Sequence, residues 1–121
     1  MAIHVKFEVP KDLQDKAYLL VEAARDTGRV KKGTNEVTKV IERGDAALVV
    51  MAVDVEPPEI LAHIPLLCEE RKVPYIYVSS KAELGNATGL EKPTASTAVV
   101  DVGKGKPLLD EIVEAVGKLK Q

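Results

Sequence analysis

With 121 residues, 45% of them hydrophobic and 30% charged, the chain has the size and composition of one ordinary globular domain, expected to span 1–121. It is too apolar for a disordered chain and long enough to bury roughly two thirds of its unfolded surface without a metal or disulfide staple. A formal net charge of −2 excludes a uniformly basic surface, so any site for an anion has to be local.

The elements follow in chain order. Pro10 opens a helical pattern in which Leu13, Ala17, Leu20, Val21 and Ala24 recur at spacings of three and four, and Gly28 closes it, predicting a helix over roughly 10–26. Arg29 to Lys32 reads as a short extended piece. Gly33 and Thr34 then start a second helix that ends near Gly44, where glycine can take the left-handed cap conformation. Ala46 to Ala52 is a near-continuous apolar run, the pattern of a strand covered on both faces. The longest apolar stretch, Ala46 to Val53, has eight residues and is far short of a membrane span.

VDVEPPE reads as a loop. Pro65 is tolerable only in the first turn of a helix, so the stretch from Glu59 to Arg71 splits into a short turn and a helix starting near His63. Val73 to Val78 is the next strand, Ser80 to Thr88 a short helix with a serine cap, Ala98 to Val102 a last strand, and Leu108 to Leu119 an amphipathic helix. Strands alternating with helices of this length predict an α/β fold, a three-layer α/β/α sandwich around a small, mostly parallel or mixed sheet.

Charge is concentrated in one place. Arg25 to Arg43 carries six Lys or Arg against three acids, a local charge of +3 that leaves −5 for the remainder. On the second helix, about 100° of rotation per residue puts Asn35, Lys39, Arg43 and Glu36 within an arc of about 100°, with Val37, Val40 and Ile41 on the opposite side. A mixed donor and acceptor set of this kind suits guanine, whose O6 and N7 accept from lysine and whose ring and amino N–H groups donate to a carboxylate. Lys31 and Lys32 precede the helix, where phosphates can meet the unpaired N–H groups of its first turn, and Gly33 has no side chain to block backbone approach. On pattern alone a solvated charged face, with Thr34 as a simple cap, stays open. Glu36 discriminates, because a purely electrostatic groove for a polyanion would avoid it.

Other chemistry is weakly supported. Cys68, the only cysteine, excludes an internal disulfide and a cysteine zinc cluster, and the N-terminus lacks a signal-peptide pattern, which predicts a cytoplasmic protein. His63 and Cys68 are five apart on a helix and differ by about 140°, unsuited to a nucleophile and base pair. Gly103-Lys104-Gly105-Lys106 lacks Walker spacing and reads as a turn, Asn86-Ala87-Thr88 is a sequon without a secretory context, and Asp54, Glu56 and Glu59 read as helix-start acids more than a cation site. Three tyrosines and one phenylalanine are too few for an aromatic platform that stacks single-stranded bases. An adaptor that binds proteins through its acidic remainder, around Glu69 and Glu70, is the other class to weigh.

The segment KKGTNEVTKVIERG, Lys31 to Gly44, resembles the signature of the kink-turn-binding family that includes the archaeal large ribosomal subunit protein L-seven-Ae. HIPLLCEERKVPYIYVSSKAELG, His63 to Gly85, resembles the same family's second pattern, with Cys68, Val73-Pro74-Tyr75, Lys81 and Leu84-Gly85 at the expected spacing. The resemblance implies a non-catalytic, cofactor-free protein that binds kink-turn RNA, monomeric when free. Its RNA partners would be ribosomal RNA, box C/D and H/ACA guide RNAs and ribonuclease P RNA, alongside other ribosomal and guide-particle proteins. By the same resemblance Asn35, Glu36 and Lys39 read tandem guanines, while Lys32, Gly33, Thr34 and Arg43 approach the backbone or support the readers. The loop Gly89-Leu90-Glu91-Lys92-Pro93 is the family's second contact, with Leu90 against an extruded bulge nucleotide; Lys92 stands where guide-particle members often carry an apolar residue.

Overall fold

A computed structural model of the protein describes residues 4–120. Five helices, α1 (Lys11–Thr27), α2 (Thr34–Arg43), α3 (His63–Arg71), α4 (Lys81–Thr88) and α5 (Lys106–Leu119), alternate with four strands, β1 (Arg29–Lys32), β2 (Leu48–Ala52), β3 (Tyr75–Val78) and β4 (Ser96–Asp101). Single 3-10 turns at Pro58–Leu61 and Gly103–Gly105 lead into α3 and α5. Pro65 sits in the first turn of α3, as its missing N–H requires, and the preceding turn starts at Pro58, one residue before the expected Glu59. No helix among the described residues is long and apolar enough to cross a membrane.

The sheet runs β1-β4-β2-β3. β2 and β3 are parallel, while β4 is antiparallel to both β1 and β2, so the sheet is mixed. Its two faces follow from the period-two alternation of strand side chains. The Thr97 hydroxyl of β4 meets the Thr88 hydroxyl of α4 at 2.9 Å, which puts Thr97 and its cross-strand partners Val50 and Lys32 on the α4 face. Tyr75 of β3 donates its hydroxyl to Glu69 of α3 at 3.1 Å, which puts Tyr75, its neighbour Val49 and in turn Ala98 and Lys31 on the α3 face. With α1 packed on α4 and α5, and α2 on α3, the expected three-layer sandwich is the architecture.

Four starts differ by two residues from the sequence reading, the first being β2, which begins at Leu48 instead of Ala46. β4 starts at Ser96 instead of Ala98, because Ser96 and Thr97 are buried despite their hydroxyls, the first accepting on its carbonyl from Gly33 N–H at 3.2 Å. β3 starts at Tyr75 instead of Val73: Pro74 has no N–H to give the ladder, and Val73 N–H closes the end of α3 on Cys68 O at 2.9 Å. α5 starts at Lys106 instead of Leu108, with Pro107 in the first turn, where its fixed φ favours helix.

The few aromatic residues work inside. Phe7, Tyr75 and Tyr77 pack with ring centroids 5.1–6.0 Å apart. The Tyr77 hydroxyl donates to the His4 carbonyl and accepts from Lys6 N–H at 3.1 Å, and the His4 ring donates from Nε2 to Ala52 O at 2.8 Å, pinning the segment before α1 to the α3 face. α4 is fixed at its start by Ser80 Oγ, which accepts from Glu83 N–H at 3.1 Å, and by Asp54, which accepts from Lys81 N–H at 2.9 Å.

Burial raises the pKa of several groups: the Cys68 thiol and the Tyr18 phenol are each pushed up to about 12, and Tyr75 and Tyr77 are also raised. The unfolded chain therefore loses these protons at lower pH than the folded one. Their stabilisation is complete below the ordinary thiol value near 9.0 and is lost as pH rises through about 12. Urea midpoints measured across this range should fall with pH, and Cys68→Ala should flatten the fall between about pH 9 and 10, whatever it does to the midpoint at neutral pH.

Candidate nucleic-acid interface

The site is built from the turn where β1 becomes α2. Gly33 takes φ 88 and ψ 145, a combination essentially reserved for glycine, and stands as the N-cap of α2. Its carbonyl receives the first helical bond, from Val37 N–H at 2.9 Å. A β-carbon at Gly33 would have no atom within 4 Å, so backbone conformation and not crowding explains glycine here. No side chain caps the helix, and Thr34 is its first helical residue instead of the cap considered from sequence. The first-turn N–H groups and the positive end of the helix dipole are left for an outside acceptor. At the other end Gly44 takes the left-handed conformation expected of it, φ 77.

Between those ends the helix divides as its periodicity predicts. Val37, Val40 and Ile41 are buried, and Asn35, Glu36, Lys39 and Arg43 are exposed. Lys39 Nζ lies 3.8 Å from Glu36 Oε1, with side chains 59% and 48% exposed, a pairing worth little in water and readily exchanged for a ligand. Arg43 is on the same side two turns away, about 12 Å along the axis from Asn35. Among the described residues Lys31, Lys32 and Arg43 form no ion pair, so their charge is open to an anion. α2 is braced from behind by α3: the Thr38 hydroxyl donates to Thr34 O at 2.7 Å and so accepts from His63 Nε2–H at 2.9 Å.

The two lysines before the helix are not equivalent. Lys32 pairs with Thr97 and Lys31 with Ala98, so they leave the edge strand on opposite faces, Lys32 toward α4 and Lys31 toward α2. Both still border one concavity, together with Val30, Glu36 and Thr88. By sequence Thr88 reads only as the end of a short helix and of a sequon. Its hydroxyl, which also donates to Leu84 O at 2.7 Å, joins the end of α4 to the strand opposite Lys32.

That join brings the loop after α4 next to α2. Gly89 takes φ 90, Gly89 N–H bonds Asn86 O at 3.0 Å and Leu90 N–H bonds Gly85 O at 2.9 Å, folding the chain back over its own helix. A β-carbon at Gly85 would come within 2.1 Å of the Lys92 carbonyl, so this helix can carry the loop only with glycine there. Leu90 is half-buried, while Glu91 and Lys92 are exposed. The structure thus gathers Lys31 to Glu36 and Lys39 at one helix start, sets Leu90, Glu91 and Lys92 on the neighbouring loop, and leaves Arg43 at the far end of the face.

The enzyme-like features separate. Cys68 is buried with its thiol held protonated by desolvation, which removes the thiolate such a pair would need, and the His63 ring bonds Thr38 through Nε2. Asp54 serves the start of α4.

Residues 15–109 match the model of the family described as ribosomal protein L7Ae/L30e/S12e/Gadd45, a span that contains every residue of this interface. The chain is also similar to a solved structure described as Giardia lamblia 15.5kD RNA binding protein, with 33% sequence identity and a TM-score of 0.89 over 97% of this chain and 97% of that one.

Because Gly33 owes its identity to its dihedral angles, Gly33→Ala should lower stability by about 1–3 kcal/mol through strain alone. Urea denaturation measures this, and an unchanged midpoint would show that the turn tolerates a side chain.

Proposed function

The chain belongs to the ribosomal protein L7Ae/L30e/S12e/Gadd45 family, and from that premise we propose that it is a non-catalytic RNA-binding protein that recognises and stabilises kink-turns. A kink-turn is a duplex interrupted by a short bulge and tandem sheared G·A pairs. The observation that carries the reading is the exposed set Asn35, Glu36 and Lys39 at an uncapped helix start, with Lys31 and Lys32 beside it. The 15.5kD RNA binding protein with the same fold adds support.

In a sheared pair the guanine uses its sugar edge, which leaves its Watson–Crick edge for the protein. Glu36 accepts from the guanine N–H groups, Lys39 donates to O6 and N7, and Asn35 does either. An ordinary A-form duplex hides its major groove from side chains, whereas a sharply bent and widened site admits a helix start. Lys32, Lys31 and the first-turn N–H groups meet phosphates, Gly33 and Thr34 bring the backbone close, and Arg43 extends the contact along the strand. On the adjoining loop Leu90 packs against the extruded bulge nucleotide, flanked by Glu91 and Lys92. Because the contacts exist only in the bent form, binding shifts RNA from extended to kinked, an assembly role that needs no chemistry. Ribosomal RNA, box C/D and H/ACA guide RNAs and ribonuclease P RNA are the targets this reading proposes, bound by one domain acting as a monomer in cytoplasmic ribonucleoprotein particles.

Gel-shift titrations on a kink-turn, and on a variant whose G·A pairs are replaced by Watson–Crick pairs, test the proposal; equal affinity for both would defeat it. Glu36→Ala and Lys39→Ala should each cost about 1–3 kcal/mol on the kink-turn. Lys32→Ala should instead weaken every RNA to a similar extent and reduce the salt slope by about one unit.

A further inference from the structure

Arg25 belongs by sequence to the basic stretch ending in α2, yet it lies at the last turn of α1 and faces α4. Its Nη1 donates to the carbonyls of Asn86 and Ala87 at 3.3 and 3.4 Å, at the end of α4. Its Nε and Nη2 fork onto Asp26 at 2.9 and 3.4 Å. Its stem lies over the turn that follows, where a β-carbon on Gly89 would come within 2.8 Å of Arg25 Cδ. One side chain therefore holds both the final carbonyls of α4 and the first residue of the Gly89–Pro93 loop.

We infer that Arg25 is a positioning residue for this loop, setting where Leu90 stands relative to the α2 face. The inference rests on the RNA-binding reading above and concerns its bulge contact alone. The inner side of α4's end is held by the Thr88–Thr97 hydroxyl pair and the loop's far end by Thr94 N–H on Lys81 O at 3.1 Å. Arg25 is the outer restraint, and the only one of the three on a half-exposed side chain, 35% exposed. A cation at those carbonyls also meets the negative end of the α4 dipole. Direct phosphate binding is a poor use of this group, because Asp26 neutralises its charge and the α4 carbonyls and Asp26 take four of its five N–H donors, leaving one on Nη2.

The test is titration of the native protein and Arg25→Ala against two RNAs, a kink-turn and the same kink-turn with its extruded bulge nucleotide made abasic, each at several salt concentrations. Arg25→Ala should weaken the intact kink-turn about tenfold, the loss of a charge-assisted restraint, with unchanged salt slope. On the abasic RNA, where Leu90 has no base to meet, the two proteins should bind alike. Asp26→Ala, which frees the fork but leaves the α4 carbonyls in reach, should lose less on the intact RNA. Equal losses on both RNAs, no loss on either, or a salt slope reduced by about one unit would overturn the positioning role. So would native protein that ignores removal of the bulge base, although the kink-turn reading would survive it. Native protein that binds neither RNA removes both readings.

Discussion

The molecule is organised around what β4 holds on its two faces and two edges. It lies between β1 and β2, so anything attached to it is referred to the centre of the sheet. On one face the Thr97 hydroxyl holds the end of α4, and at its first residue the Ser96 carbonyl holds Gly33, the cap of α2. The loop that follows α4, from Gly89, and the helix start that follows β1, at Thr34, are 55 residues apart in sequence. They become neighbours because both are hydrogen-bonded to adjacent residues of one strand. A buried hydroxyl pair is a costly way to fill space unless both partners are satisfied. Thr88 and Thr97 are, through each other and Leu84 O, and satisfaction requires one particular placement of α4.

Electrostatics then act on a frame already set. The protein is acidic overall, net −2, so any attraction for a polyanion has to be local, and the cations of this face that form no ion pair among the described residues are Lys31 and Lys32 at the start of α2 and Arg43 at its far end. A carboxylate at Glu36 opposes a purely phosphate-directed site and suits a ligand that brings N–H donors to it, and in the free protein Lys39 lies 3.8 Å from it. Exchange of that surface pair for ligand contacts costs little, because the pair is solvent-exposed.

Much of the fold was legible because its signals are local. The split at Pro65, the cap at Ser80, the left-handed Gly44 and the buried trio Val37, Val40 and Ile41 each follow from a residue and its near neighbours. What stayed out of reach depends on pairing across the chain. Strand order, and with it which helix Lys31 and Lys32 each face, needs the register of β1 on β4, which no spacing along the sequence encodes. The early start of β4 was hidden because Ser96 and Thr97 look like loop residues until their partners are known. Arg25 was counted with the basic stretch, since charge can be summed along a sequence while the direction of a side chain cannot. Thr88 carried no signal except a helix end and a sequon, whose chemistry is unrelated to its role.

The two surfaces of the interface are also unequal in how they are held. α2 is fixed along its length by three buried side chains and from α3 by His63, so its exposed arc is presented in one orientation before any ligand arrives. The loop after α4 depends on a few point restraints: glycine at 85 beneath Lys92, the threonine pair inside, Arg25 outside. Preorganised contacts lose little entropy on binding, while contacts on lightly restrained backbone lose more. The helix arc is therefore the preorganised part of the candidate interface, and the loop is the part whose position modest changes in restraint can alter.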